Sequence, residues 1–128
     1  MARYLPKWYN LRMESIELFA GAGGLALATA NAGFHHKAVL EWNPNACSTL
    51  RKNQSAGLSQ LAQADIIEGD ISEFSFRPFY GAVDLVSGGP PCQPFSIGGK
   101  HGGMDDRRNM FSHAIRAARG VAPKTVLF

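Results

Sequence analysis

Short apolar runs alternate with helix-like segments along the whole chain, and this alternation most restricts the folds open to it. "SIELFA" (residues 15–20) reads as a buried strand and "GLALATANAG" as an Ala- and Leu-rich helix that stops at Gly33. "KAVLE" is a second strand. In "NPNACSTLRKN", Asn43 suits an N-cap and Pro44 the first helical position, so a second helix opens there. "ADIIEGD" and "AVDLVSGG" read as third and fourth strands. "RRNMFSHAIRAARGV" carries Met110, Phe111, Ala114, Ile115 and Ala118 at helical spacing, and "KTVLF" starts a fifth strand. Strands alternating with helices imply an α/β fold with right-handed crossovers and a mainly parallel sheet. Ligands in such sheets bind at the carboxyl ends of the strands.

Unusual residues should therefore gather just after the strands. "FAGAGG", "EWN", "GDI" and "GGPPCQPFS" follow strands one to four in that order. After strand one, Gly21, Gly23 and Gly24 let the backbone turn tightly and approach a ligand, and the next helix offers its first amides to a negative group. A tight strand-to-helix connection alone would explain them. Glu41 ends strand two, where an acid accepts hydrogen bonds from ribose hydroxyls in nucleoside-binding sheets, and Trp42 offers a flat face to an adenine ring. Their plainer readings are a solvated strand end and a core aromatic. Asp70 can accept from an exocyclic amine, or simply form a turn before Ile71. Taken together, three successive strand ends carry an adenosine-shaped set.

Composition bounds the rest. At 128 residues, 45% apolar and 18% charged, the chain has the profile of one soluble core. Neither a membrane-spanning run nor the apolar region of a secretory signal is present, which points to a cytoplasmic or nucleoid setting. The formal net charge is +3. Arg3, Lys7 and Arg12 crowd the start, and Lys100, Arg107, Arg108, Arg116, Arg119 and Lys124 follow the proline loop. A basic surface of this kind suits a polyanion, though only weakly. Two cysteines, Cys47 and Cys92, suggest neither a disulfide framework nor a metal site.

Cys92 stands in "SGGPPCQPFS", where Pro90, Pro91 and Pro94 restrict the backbone and exclude helix. A nucleophilic thiolate needs partial exposure, a positive or dipole-rich setting and a fixed line of attack. A buried structural thiol in a rigid turn is the competing reading. It loses ground because Cys92 follows a strand, next to the adenosine-shaped set. Cys47 has no such setting and reads as helix packing.

The four motifs, in this order and spacing, resemble the S-adenosylmethionine-dependent C5-cytosine DNA methyltransferases, and "GKHGGMDDRRNMF" looks like the remainder of their catalytic loop. The resemblance runs from about Ile16 to Phe128. It implies a Rossmann-like methyltransferase fold, incomplete at its first five strands, with residues 1–14 as an extension and 15–128 as the amino-terminal part of the catalytic domain. It further implies that Phe19, Gly21, Gly23, Gly24 and Pro90 line the cofactor, Glu41 binds its ribose, Trp42 faces its adenine, and Asp70 with Ile71 meets the adenine edge. Cys92 would be the nucleophile, adding to C6 of a cytosine flipped out of double-stranded DNA so that C5 can take the methyl group. Gln93, Ser96, Lys100 and Arg107 would meet the flipped nucleotide or phosphates. Gly98, Gly99, Gly102 and Gly103 would hinge the lid. Arg107 best matches the lid arginine, while Arg108 occupies a position often filled by glycine.

In this family the strand matching "KTVLF" is followed by a Glu-Asn-Val motif, an arginine-bearing motif, a target-recognition region and a closing helix. None lies within these residues, so the resemblance implies about the first half of a catalytic domain. The chain alone is expected to be inactive and to need a carboxyl-terminal half, in the same or a separate polypeptide. Other readings are a transfer-RNA cytosine methyltransferase relative, a non-catalytic nucleic-acid-binding subunit, and a nicotinamide oxidoreductase. The last gives no reason for "PPCQ", and "GAGG" lacks its third spaced glycine.

Overall fold

A computed structural model describes residues 11–91 and 110–128. Its elements are β1 (Met13–Leu18), α1 (Gly24–Asn31), β2 (Phe34–Glu41), α2 (Pro44–Ser55), β3 (Asp65–Glu68), β4 (Leu85–Gly88), α3 (Met110–Val121) and β5 (Thr125–Leu127), with 3-10 turns at Ser59–Leu61 and Arg77–Phe79. The strands form one sheet in the order β3-β2-β1-β4-β5, and every neighbouring pair is parallel. The chain therefore winds outward from β1 to β3, then restarts on the other side of β1 at β4. That reversal falls between β1 and β4, and sheets of this kind place ligands beyond the carboxyl ends of the strands at such a point.

Side-chain alternation divides the core between the two faces. Ile16 and Leu18 of β1, Ala38 and Leu40 of β2, and Val86 of β4 pack with Ala114, Ala117 and Val121 of α3 and with Ile71, Phe76 and Val83. Val39 joins Ala26 of α1, Leu50 of α2, Leu61 and Ala64 in a second cluster. Burying one such Leu or Ile side chain fully contributes about 1.5–3 kcal/mol, so both clusters hold helices to the sheet. At α2, the Asn43 side chain accepts from the amides of Asn45 and Ala46, and Pro44 occupies the first turn, as the sequence predicts.

Several boundaries differ from the sequence expectation. β1 stops at Leu18 rather than Ala20, because Phe19 takes the left-handed φ of 54°. α1 stops at Asn31 and leaves Gly33 to turn the chain at φ 101°. β2 begins at Phe34, three residues before "KAVLE", because Phe34 to His36 pair with Met13 to Ser15. The register then skips Lys37, a bulge that lets Ala38 resume pairing at Ile16. The skip turns His36 toward α1, although in a regular strand it would share a face with Ala38. β3 and β4 are shorter than expected. Among the described residues, no helix is long and apolar enough to cross a membrane.

Candidate active site

Beyond Leu18 the chain leaves β1 through a turn that three residues make in the left-handed region: Phe19 (φ 54°), Gly21 (φ 55°) and Gly23 (φ 100°). Gly23 is required twice over, since a Cβ there would also lie 2.8 Å from the Leu50 Cδ2. The turn is pinned by the Ala20 amide donating to the Leu40 carbonyl (3.1 Å) and the Gly23 amide to the Ala20 carbonyl (2.9 Å). Phe19 pays for a strained backbone, roughly 1–3 kcal/mol, while its ring packs against the core. α1 then starts with no side-chain cap and no acid in its first turn.

Glu41 knits the strand ends together. Its Oε2 accepts from the Gly21 amide at 2.7 Å, and its Oε1 from the amides of Trp42 (2.9 Å) and Asn43 (2.8 Å). Its carbonyl accepts from the Gly69 amide (3.0 Å) and the Cys47 thiol (3.3 Å). One residue thereby joins the ends of β1, β2 and β3 to the start of α2. At 7% exposure it is no solvated strand end; three N–H donors make the buried carboxylate tolerable. An ionised carboxylate has about four acceptor directions, so the Oε2 retains one for a ligand hydroxyl.

Trp42, 74% exposed, is not a core aromatic. Asp70 uses its Oδ1 to accept from the Ser72 amide at 2.8 Å, the turn that the plainer sequence reading foresees. That amide and the Ser72 hydroxyl hold the Asp70 carboxyl below its usual range, so it remains an ionised acceptor. Ile71 is buried in the core. At the end of β4, Gly88 faces Leu18 so closely that a Cβ would fall 2.6 Å from the Leu18 carbonyl oxygen. Pro90 is half-buried and Pro91 exposed. Cys92, Gln93, Ser96, Lys100 and Arg107, and the lid glycines, lie outside the described residues.

Three polar arrangements behind the site were not foreseen. Glu17, fully buried in β1, accepts from the Ser87 hydroxyl of β4, and its Oε1 has no partner among the described residues. Burial pushes its pKa up to about 7 against that hydrogen bond. His36 faces the Ser15 hydroxyl at 2.9 Å through Nδ1, while Nε2 donates to the Ala26 carbonyl at 2.7 Å and lies 3.3 Å from the Thr29 hydroxyl. Burial holds its pKa below the usual value. Arg116 donates to the carbonyls of Ile71 and Phe74. The available signals were a glutamate inside an apolar run and a histidine just upstream of one.

The basic surface is also thinner than its residue count. Arg12 is engaged by Glu14 and Gln63, Lys124 by Asp84, and Arg116 by backbone carbonyls. Arg3, Lys7, Lys100, Arg107 and Arg108 lie outside the described residues. Cys47 is a buried residue of α2, and burial pushes its thiol pKa up, which agrees with its reading as packing. Among the described residues, no cluster of three His, Cys, Asp or Glu side chains could hold a metal ion.

A family model described as C-5 cytosine-specific DNA methylase matches residues 13–128. Over 117 residues the chain is 43% identical to the Type II methyltransferase M.NgoMIV of Neisseria gonorrhoeae, covering 91% of this chain and 35% of that one. M.Eco47II of Escherichia coli is 42% identical (88% and 25% covered), and M.AquIA of a Picosynechococcus is 39% identical (89% and 46%). The chain thus spans between a quarter and a half of the length of these relatives. A solved prophage-encoded protein of E. coli, described as a DNA modification methyltransferase, superposes with a TM-score of 0.63 at 28% identity, over 87% of this chain and 30% of that one. A SAM-dependent methyltransferase of Agrobacterium tumefaciens shares the fold, with a TM-score of 0.61 at 21% identity, over 92% and 38%. The α/β, Rossmann-like methyltransferase architecture foreseen from the sequence is the observed one.

Proposed function

Because the chain belongs to the C-5 cytosine-specific DNA methylase family, we propose that it supplies the cofactor-binding and nucleophile-bearing part of a DNA (cytosine-5-)-methyltransferase. The substrate is a cytosine in double-stranded DNA, the cofactor S-adenosylmethionine and the product S-adenosylhomocysteine. The observation that carries the reading is Glu41, whose carboxylate and carbonyl gather the ends of three strands into one rim. A bound S-adenosylmethionine supplies an electrophilic methyl on a sulfonium.

The residues present fit that cofactor. The left-handed turn through Phe19, Gly21 and Gly23, leading into Gly24, brings bare backbone to the rim. Glu41 keeps an acceptor direction for ribose hydroxyls, the exposed Trp42 offers a face to adenine, and Asp70 with the Ile71 amide offers an acceptor and a donor to the adenine edge. Pro90 follows β4 by two residues, at the carboxyl end of the sheet where the other cofactor residues lie.

Cys92 follows β4 by four residues, and as a thiolate it adds to C6 of the flipped cytosine. The new S–C6 bond takes the C5–C6 π electrons onto C5, which then gains the methyl group. Loss of the C5 proton to a base expels the thiolate and restores the ring. Gln93, Ser96, Lys100 and Arg107 contact the extruded nucleotide and its phosphates. The enzyme works in the bacterial cytoplasm or nucleoid, beside a carboxyl-terminal half that supplies target recognition.

The test is covalent trapping on a duplex containing 5-fluorocytosine, which blocks loss of the C5 substituent. The chain is assayed with S-adenosylmethionine, with and without a complementing carboxyl-terminal methylase segment. A cofactor-dependent adduct that Cys92→Ser abolishes is expected in the combined sample. No adduct in either sample refutes the catalytic role of Cys92.

A further inference from the structure

Arg116 directs both terminal nitrogens of its head group at one short stretch of backbone. Its Nη2 donates to the Ile71 carbonyl and its Nη1 to the Phe74 carbonyl at 3.2 Å, while its Cζ lies 5.6 Å from the Phe76 ring centroid. The same helix presses on the stretch elsewhere. At Gly120, a Cβ would lie 3.1 Å from the Phe76 Cβ, and His113, one turn before Arg116, favours the ionised Asp70 carboxylate. Inside the stretch, the Phe74 amide donates to Ile71 and the Ser72 amide to the Asp70 Oδ1. Among the described residues, the Ile71 N–H has no acceptor. Residues 70–76 are thus tied down at the carbonyl of Ile71 while its amide is left to a ligand.

We propose that Arg116 is a positioning residue that fixes the Asp70 carboxylate and the Ile71 amide as an acceptor–donor pair, and so sets the base selectivity of the cofactor site. The inference rests on the reading that this site takes S-adenosylmethionine. Adenine offers an N6 donor and an N1 acceptor, which match Asp70 and Ile71. Hypoxanthine offers an O6 acceptor and an N1 donor, so it opposes both groups. Rejection needs the pair to stay in place, because a loop free to shift relieves the mismatch. Arginine suits the task, since its planar fork reaches two carbonyls at once and a lysine reaches one.

The experiment compares the 128-residue chain with Arg116→Ala and Arg116→Lys. Binding of S-adenosylhomocysteine and of its hypoxanthine analogue is measured by calorimetry, and amide hydrogen exchange is followed across residues 70–76. The unaltered chain should prefer adenine by about tenfold or more. In Arg116→Ala, exchange across 70–76 rises, adenine affinity falls roughly tenfold and the preference approaches unity. Arg116→Lys should keep part of that preference, with about a threefold fall in adenine affinity. If Arg116→Ala proves too unstable, Arg116→Lys carries the same comparison. Unchanged exchange, or equal loss for both nucleosides with the preference intact, overturns the role of Arg116 alone. Failure of the unaltered chain to bind either nucleoside, both alone and combined with the complementing carboxyl-terminal segment, overturns the cofactor reading, and the selectivity role with it.

Discussion

The amide of Gly21 donates to the Oε2 of Glu41 at 2.7 Å, so the turn after β1 is held by a carboxylate from the end of β2. Glu41→Gln keeps the shape but places an NH2 against at least one of three N–H donors, whichever way the amide is turned. A buried donor facing a donor costs about 1–3 kcal/mol. Thermal unfolding of the variant should show that loss, and S-adenosylhomocysteine binding should weaken along with it. Unchanged stability would mean that Glu41 does not hold the turn.

Trp42 should behave in the opposite way. It is 74% exposed and contributes little to the core, so Trp42→Ala should change unfolding free energy by no more than about 0.5 kcal/mol. Loss of a face that stacks on adenine should weaken nucleoside binding by about 1 kcal/mol, or roughly fivefold. Titration calorimetry and a melting curve on the same sample separate the two effects. A large stability loss with unchanged binding would assign Trp42 to packing.

What could be read from the sequence was whatever depends on local pattern. The five strands, the N-cap at Asn43 and the clustering of unusual residues after strands follow from periodicity and backbone preference, which neighbours a few residues away decide. The Glu17–Ser87 pair joins residues 70 apart, and Arg116 reaches back 45 to Ile71. Strand order and helix placement create those contacts, and no local signal states them. His36 was missed for a different reason. The bulge at Lys37 reverses its side, and a single skipped residue defeats any alternation rule.

Gly88 should be intolerant of substitution where Gly24 is not. A Cβ on Gly88 would meet the Leu18 carbonyl oxygen at 2.6 Å, and that oxygen is fixed in the central strand, whereas nothing lies within 4 Å of a Cβ on Gly24. Gly88→Ala should therefore cost about 2–4 kcal/mol by forcing β1 and β4 apart. Gly24→Ala, in the first turn of α1, should be neutral or slightly stabilising. Denaturant melts of both variants check the contrast, and equal stabilities would show that β1 and β4 can separate without cost.

Two buried groups should pull the pH dependence of stability in opposite senses, one favouring acid and the other neutral pH. Glu17 is raised from 4.5 to about 7, so between these values the folded state keeps a proton that the unfolded chain has released. Stability from this group therefore falls as pH rises from 4.5 to about 7, by about 3 kcal/mol in all. His36 is lowered from 6.5, so the unfolded chain binds a proton that the folded state refuses, and stability from this group falls as pH drops below 6.5. Asp70 and Asp84, both lowered from 3.8, lose their contributions only at more acid pH. Single variants should uncover the two slopes. Glu17→Gln leaves the histidine alone, so stability should rise with pH up to about 6.5 and then level off, with a gain over the unaltered chain of about 1–3 kcal/mol at pH 8. His36→Gln leaves the glutamate alone, so stability should fall steadily from pH 4.5 to 7, whatever the absolute loss from its missing hydrogen bonds. Urea melts across this range measure all three profiles, and a flat profile in either variant would mean that the corresponding partner does not titrate as described.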